Sequence, residues 1–255
     1  MMDRAAEPGV EWHRVEFPSR SGARLVGCWH PGGGDRLVIL CHGMESSKEG
    51  DKSVALARAL VAEGCDALRF DFSFVGESEG RFADLTVSGE VDDLAGAWAF
   101  ARDRVRGRIG IVGSSLGGTV AVLFAAEERG VAAVATIAAV AAPGPRARAL
   151  PAAERDRWRR DGSYDLHGTR VGRAFLDDIE HLDVMAAAGR IACPMLITHG
   201  TADAIVPCAD AGALGDAAGA RAEVRLYAGV DHRFSDPDRR LELITDIATW
   251  MCARL

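Results

Sequence analysis

Short apolar runs alternate with longer amphipathic stretches along most of the chain, the pattern of βα units around a mostly parallel sheet. Runs of strand length lie at Leu37–Cys41, Ala67–Phe70, Ile109–Val112, Ala132–Ile137, Met195–Thr198 and Glu223–Tyr227. Helical periodicity fills the spaces between them, at about Ser53–Glu63, Gly89–Asp103, Leu116–Glu128, Cys208–Ala217 and Pro237–Ala253. The last of these starts well, with Asp236 in the N-cap position and Pro237 at the first helical position. The beginning of the chain differs. Trp12–Phe17 and Arg24–Trp29 alternate polar and apolar residues around a turn at Ser19–Gly22, which predicts an antiparallel pair at one edge of the sheet. The expected fold is α/β, an eight-stranded, mostly parallel sheet flanked by helices, in a single domain over residues 1–255.

One segment breaks the rhythm. Residues 143–189 separate two expected strands by far more than an ordinary connection. They hold Trp158, Tyr164, Phe175 and Leu176 among many charges, and read as two or three short helices. Such an insertion is either a lid over a site or a surface excursion.

Composition narrows the function classes. Hydrophobic residues make up 48% and charged residues 26%, ordinary for a globular protein. No apolar run reaches the roughly 18 residues that span a bilayer. Met1–Pro8 lacks the apolar core of a signal peptide, so a cytoplasmic protein is expected. A net charge of −7 argues against a nucleic-acid partner. Lys48 and Lys52 are the only lysines among 30 basic residues, a bias we read as compositional. Cys28, Cys41, Cys65, Cys193, Cys208 and Cys252 are scattered, with neither a CxxC pair nor metal-ligand spacing. Neither a disulfide framework nor a metal site is expected.

The strongest local signal is Gly113-Ser114-Ser115-Leu116-Gly117, which matches G-x-S-x-G between an apolar strand and a helical run. A serine on a sharp strand-to-helix turn needs small residues two before and two after it, so that strand and helix can approach. The turn places the hydroxyl at a helix N-terminus, where partial positive charge favours a developing oxyanion. Ser115 is therefore the candidate nucleophile and the Leu116 N–H a candidate oxyanion donor. Ser114 lacks the flanking glycines.

Such an elbow implies partners at particular places. Cys41-His42-Gly43-Met44 follows an early strand, and the Met44 N–H is the candidate second oxyanion donor. Gly43 allows the close turn, and His42 reads as a brace for the loop rather than a base. Late in the chain, a strand over Met195–Thr198 leads into His199-Gly200-Thr201-Ala202-Asp203, which makes Asp203 the candidate acid. Asp210 is a rival, expected inside a helix. Gly229-Val230-Asp231-His232 follows the final strand, so His232 is the candidate base. The chain order Ser115, Asp203, His232 is the order used by hydrolases built on this kind of sheet. His13, His30, His167, His181 and His199 have no comparable placement.

With these residues in view, the chain resembles the α/β-hydrolase superfamily over essentially its whole length. His42-Gly43-Met44-Glu45-Ser46-Ser47-Lys48-Glu49 and the insertion look like small bacterial esterases of the cinnamoyl/feruloyl type and serine-aminopeptidase-like proteins. Asp71-Phe72-Ser73-Phe74-Val75-Gly76-Glu77-Ser78 resembles the family loop Asp-x-Arg-Gly-x-Gly-x-Ser, with Ser73 and Phe74 in place of Arg and Gly. Asp71 and Gly76 read as structural. The resemblance implies a carboxylic-ester hydrolase working through an acyl-enzyme, without a cofactor, on a small-molecule ester. A peptidase or amidase of the same fold, or a hydrolase-like sensor with little turnover, remains open. So does assembly as a monomer or homodimer. Trp158 and Tyr164 could line an acyl pocket or pack the core of the insertion. Its eight arginines (Arg146, Arg148, Arg155, Arg157, Arg159, Arg160, Arg170 and Arg173) could read a substrate carboxylate or form a solvated face.

Overall fold

The computed structural model describes residues 10–166 and 168–255, so Met1–Pro8 and His167 lie outside the described residues. Eight strands form the main sheet: β1 (His13–Pro18), β2 (Arg24–His30), β3 (Leu37–Cys41), β4 (Asp66–Asp71), β5 (Ile109–Ser114), β6 (Ala133–Ile137), β9 (Met195–Gly200) and β10 (Ala222–Tyr227). Their spatial order is β1-β2-β4-β3-β5-β6-β9-β10. β1 and β2 are antiparallel at one edge, β2 runs antiparallel to β4, and every later pairing is parallel.

The alternation within a strand assigns its side chains to two cores. Leu37, Ile39 and Cys41 of β3 join a core with Leu94, Trp98, Val120 and Phe124. Val38 and Leu40 point the other way, toward Leu56, Leu60, Ile244 and Met251. A strand buried on both faces needs an unbroken apolar run, which is what Leu37–Cys41 supplies. Helices α1 (Asp51–Ala62) and α9 (Pro237–Cys252) cover one face. Helices α2 (Val87–Arg102), α3 (Leu116–Glu127) and α8 (Ala209–Ala218) pack on the other. The α9 cap forms as expected, Asp236 accepting from the N–H of Asp238 at 2.9 Å and of Arg239 at 3.1 Å. Helix α2 starts two residues before the expected position, because Thr86 caps it by accepting from the Gly89 N–H at 3.0 Å.

The long insertion departs from the reading as two or three helices. It contains α4 (Pro143–Ala149), α5 (Ala152–Asp161), α6 (Arg173–Ile179) and most of α7 (Val184–Arg190). Between α5 and α6 lies a separate antiparallel hairpin, β7 (Ser163–Leu166) with β8 (Thr169–Gly172). Four-residue strands leave too few alternations to register as a period-2 pattern. At its base, a Cβ on Gly172 would stand 1.9 Å from the Ala83 carbonyl oxygen, so the hairpin rests directly on the 3-10 turn at Phe82–Asp84. Among the described residues no helix is long and apolar enough to cross a membrane.

Candidate active site

The site forms at the carboxyl ends of β5, β9 and β10. Ser115 sits between the end of β5 and the first residue of α3, with φ 53° and ψ −119°. A positive φ costs a non-glycine residue on the order of 1–2 kcal/mol, so the surroundings must hold this turn. They do: the Ser115 N–H donates to the Ile137 carbonyl at 2.7 Å, and the Ser115 carbonyl accepts from Gly118 at 2.9 Å. The flanking glycines are required by space. A Cβ on Gly113 would stand 2.2 Å from the Gly117 carbonyl oxygen, and one on Gly117 would stand 2.3 Å from that of His42.

His232 lies in the loop after β10. Its Nε2 is 3.1 Å from Ser115 Oγ and its Nδ1 is 2.7 Å from Asp203 Oδ2. A carboxylate can only accept, so Nδ1 carries the proton and Nε2 is free to take one from the serine hydroxyl. The loop is pinned from both sides. Ala202 N–H donates to the Val230 carbonyl at 3.0 Å, and the buried Phe234 ring meets Tyr227 edge-on at 5.4 Å. Asp231 accepts from the backbone and hydroxyl of Ser235 at 2.8 and 2.6 Å.

The Asp203 side chain is shielded from solvent, yet charged by circumstance. Burial raises its carboxyl, but the N–H groups of Val206 and Ile205 and the His232 ring outweigh that and hold it below its ordinary value. Its Oδ1 accepts from Val206 at 2.8 Å and from Ile205 at 2.9 Å. The rival Asp210 is occupied elsewhere: it accepts from Ala141 N–H at 2.8 Å and from Arg146 at 2.5 Å, anchoring the start of the insertion.

The loop after β3 faces Ser115. A Cβ on Gly43 would stand 3.2 Å from Ser115 Cβ, which brings the loop that carries Met44 up to the elbow. As the first residue of α3, Leu116 has an N–H that the helix itself cannot bond. His42 braces this loop. Its Nε2 accepts from the Phe72 N–H at 3.1 Å, so Nδ1 carries the proton and donates to the Gly43 carbonyl at 2.8 Å. Burial holds His42 below its ordinary value, which keeps it neutral and able to play both parts.

Beneath the loop lies a buried charged cradle that sequence reasoning missed. The Lys48 ammonium donates to Asp71 at 2.7 Å and to Glu77 at 2.8 Å, while the Lys48 N–H donates to the other Asp71 oxygen at 2.8 Å. Burial works against the Lys48 charge, but these two carboxylates prevail and hold it above its ordinary value. Arg69 donates to the Lys48 carbonyl at 2.8 Å, to Glu49 at 2.6 Å and to His30 at 2.9 Å. The signal was present as Lys48 and Asp71 within two quoted motifs, but nothing in the sequence placed them together. Phe74, at the family's glycine position, keeps a glycine-like φ of 80°, its ring against Gly80, where a Cβ would stand 2.4 Å away.

The insertion reaches the rim of the site. Glu45 accepts from the Thr169 hydroxyl of β8 and from Arg233 at 3.1 Å, joining the hairpin, the loop after β3 and the histidine loop. Trp158 is buried inside the insertion, stacked on Tyr164 at 4.8 Å, with its indole N–H on the Gly172 carbonyl at 3.1 Å. It has no surface to offer a substrate. Tyr164 is partly exposed and donates to Glu154 at 3.0 Å. Of the eight arginines, Arg155, Arg157, Arg159, Arg160 and Arg173 pair with carboxylates on the insertion itself, and the Arg157, Arg160 and Arg173 pairs lie on its solvated face. Among the described residues no group of three His, Cys, Asp or Glu side chains is arranged to hold a metal ion. All six cysteines are free.

A strand order with one antiparallel edge, and a serine elbow facing a histidine loop, define an α/β-hydrolase, and the chain belongs to that superfamily. The family model described as serine aminopeptidase, S33, matches residues 34–159. The mouse (Mus musculus) palmitoyl-protein thioesterase ABHD10, mitochondrial, is 31% identical over 205 residues, covering 76% of this chain and 66% of the mouse protein. The chain thus spans just under two thirds of that relative's length. The solved structure of alpha/beta hydrolase domain-containing protein 10 from mouse superposes with a TM-score of 0.81 at 25% identity, covering 94% of this chain and 98% of that one. Est1E from Butyrivibrio proteoclasticus, solved with ferulic acid bound, has the same fold, with a TM-score of 0.81 at 22% identity over 94% of this chain and 99% of its own. These relatives are hydrolases of the esterase and thioesterase type.

Proposed function

We propose that this chain is a serine hydrolase that cleaves a carboxylic ester or thioester, with Ser115 as nucleophile, His232 as base and Asp203 as the acid that orients it. The observation that carries the reading is one unbroken line of contacts, Ser115 Oγ to His232 at 3.1 Å and His232 to Asp203 at 2.7 Å, ending on a buried carboxylate. His232 takes the serine proton as Oγ attacks the carbonyl, and Asp203 stabilises the imidazolium that forms. The Met44 and Leu116 N–H groups receive the oxyanion. His232 then protonates the leaving alcohol or thiol, and water repeats the sequence on the acyl-enzyme.

The thioester reading is favoured by the name of the mouse relative, a palmitoyl-protein thioesterase. Thiolates leave more readily than alkoxides, so the same constellation serves both substrates. Residues 143–189 act as a lid within a single domain. Its hairpin, held at the rim through Glu45, supports that role. We place the protein in a reducing compartment such as the cytoplasm, a reading that rests on the scattered cysteines of the sequence, which form no CxxC pair.

Hydrolysis of p-nitrophenyl esters from acetate to decanoate, of matched thioesters and of p-nitroanilides tests the substrate class. Ester and thioester turnover should exceed amide turnover by at least about a hundredfold, and both should fall by about three orders of magnitude or more in Ser115→Ala. Preferred amide cleavage would make the chain a peptidase or amidase instead.

A further inference from the structure

A second histidine touches the candidate acid. His199 is the fifth residue of β9 and is fully buried. Its Nε2 is 3.1 Å from Asp203 Oδ2, the same oxygen that His232 uses, and 3.0 Å from the Val206 carbonyl oxygen. Both neighbours are acceptors, so Nε2 must carry a proton. Nδ1 is buried and has no hydrogen-bond partner among the described residues. A proton there would have no acceptor, so the ring is the neutral Nε2–H tautomer.

We infer that His199 is a positioning residue, which fixes the Asp203 carboxylate for His232 by donating one N–H to Asp203 Oδ2 and to the Val206 carbonyl. The inference rests on the reading of Asp203 as the orienting acid. Four donors then surround this carboxylate: Ile205 and Val206 on Oδ1, His232 and His199 on Oδ2. The two backbone donors come from the turn after β9, in which Ile205 is exposed. His199 comes from a strand hydrogen-bonded on both sides, to β6 and β10. It clamps the turn at Asp203 and again at Val206, tying the acid to a strand inside the sheet. Without it, Asp203 keeps its backbone bonds and its bond to His232 but loses the donor that fixes its angle to the imidazole. It also keeps more of its charge for His232 and draws the imidazole proton harder. Lys52, whose ammonium burial pushes down to about 8, feels the charges of Asp231, Asp203, Arg233 and Arg240 on this side of the site.

The test compares His199→Phe, which keeps a ring and loses the donor, with His199→Gln, whose side-chain amide can place an N–H where Nε2 stood. In His199→Phe, kcat should fall about ten- to a hundredfold, with KM within about twofold. The acid limb of its kcat/KM profile should move to higher pH. His199→Gln should recover most of kcat and return the limb to its wild-type position. A His199→Phe protein that folds and keeps both kcat and the pH profile overturns the inference. So does a His199→Gln protein as impaired as His199→Phe, since packing would then explain both. Should His199→Phe fail to fold, long-range 1H–15N spectra of the wild-type imidazole decide: the inference requires the Nε2–H tautomer, and an Nδ1–H tautomer contradicts it. Asp203→Ala and Ser115→Ala, run alongside, separate the two claims. If they leave turnover intact the catalytic assignment fails, whereas losses there with an inert His199→Phe sink this inference alone.

Discussion

Two regions of this molecule are rich in charge, and they use it in opposite ways. The cradle under the oxyanion loop buries Lys48, Arg69 and Asp71 almost completely. The insertion keeps Arg157, Arg160 and Arg173 largely exposed beside their carboxylate partners. A buried pair contributes little net stability over an apolar pair of the same shape, but removing one partner strands the other in a medium that cannot solvate it. An exposed pair is screened and close to neutral. The difference lies in what each region must hold. The cradle fixes the loop to which we assign an oxyanion donor, a role that would demand placement within tenths of an ångström, whereas the insertion needs only a polar outer face over a small aromatic core.

The largest effect should come from breaking the cradle. Lys48→Met leaves Asp71 buried without its cation, so stability should drop by about 3–5 kcal/mol. Because Asp71 also accepts from the Lys48 N–H, the oxyanion loop should loosen and kcat fall more than KM changes. Chemical denaturation and steady-state kinetics on the same variant check both. Unchanged stability would place the two regions in one class after all.

Next comes the core of the insertion. Trp158→Ala removes the ring that stacks on Tyr164 and ties α5 to β8, at a cost of roughly 3–5 kcal/mol. If residues 143–189 are a lid, its effect should fall on KM and chain-length preference. Labelling of Ser115 by a small probe should survive. Loss of labelling in a folded variant would show that the insertion supports the elbow itself.

The distinction can be sharpened with pH. Burial raises the Asp93 carboxyl to about 6, only partly countered by its bonds to the Ser73 N–H and hydroxyl. An acid raised by folding binds its proton earlier in the folded state. Its charge therefore costs stability above about pH 6, and that cost is relieved as pH falls from about 6 toward the ordinary value of 3.8. Wild type should gain relative to Asp93→Asn across that window, with no change in the difference below it. Thermal melts of both proteins from pH 7 to 3.5 report this. A difference that is flat throughout would mean that Asp93 is not desolvated as described.

The smallest effect is expected on the arginine face. Arg157→Gln removes an exposed i,i+4 pair with Asp161 and should change stability by about 0–1 kcal/mol, less in high salt. A larger loss would mark this face as part of the site.

What could be read from the chain follows the same division. β3 was legible because Leu37–Cys41 is apolar without a break, and α9 because Asp236 and Pro237 mark its start. Ser115 was legible because a strained turn admits only glycine at 113 and 117. The β7–β8 hairpin was not, since four residues a side carry too little alternation. Nor was His199, expected just past the strand Met195–Thr198, because its part lies in a contact across the β9 turn that no spacing marks. The Lys48–Asp71 pair escaped for a related reason, since 23 positions separate its members and only the pairing of β3 with β4 brings them together.

The central claim is that Ser115 is the nucleophile, activated through His232 and Asp203. Reaction of the purified protein with a fluorophosphonate probe, followed by peptide mass mapping, tests it most directly. The account predicts one adduct per chain on Ser115, absent in Ser115→Ala and formed much more slowly in His232→Ala. A folded wild-type protein that takes up no probe, or carries it on another residue, would contradict it.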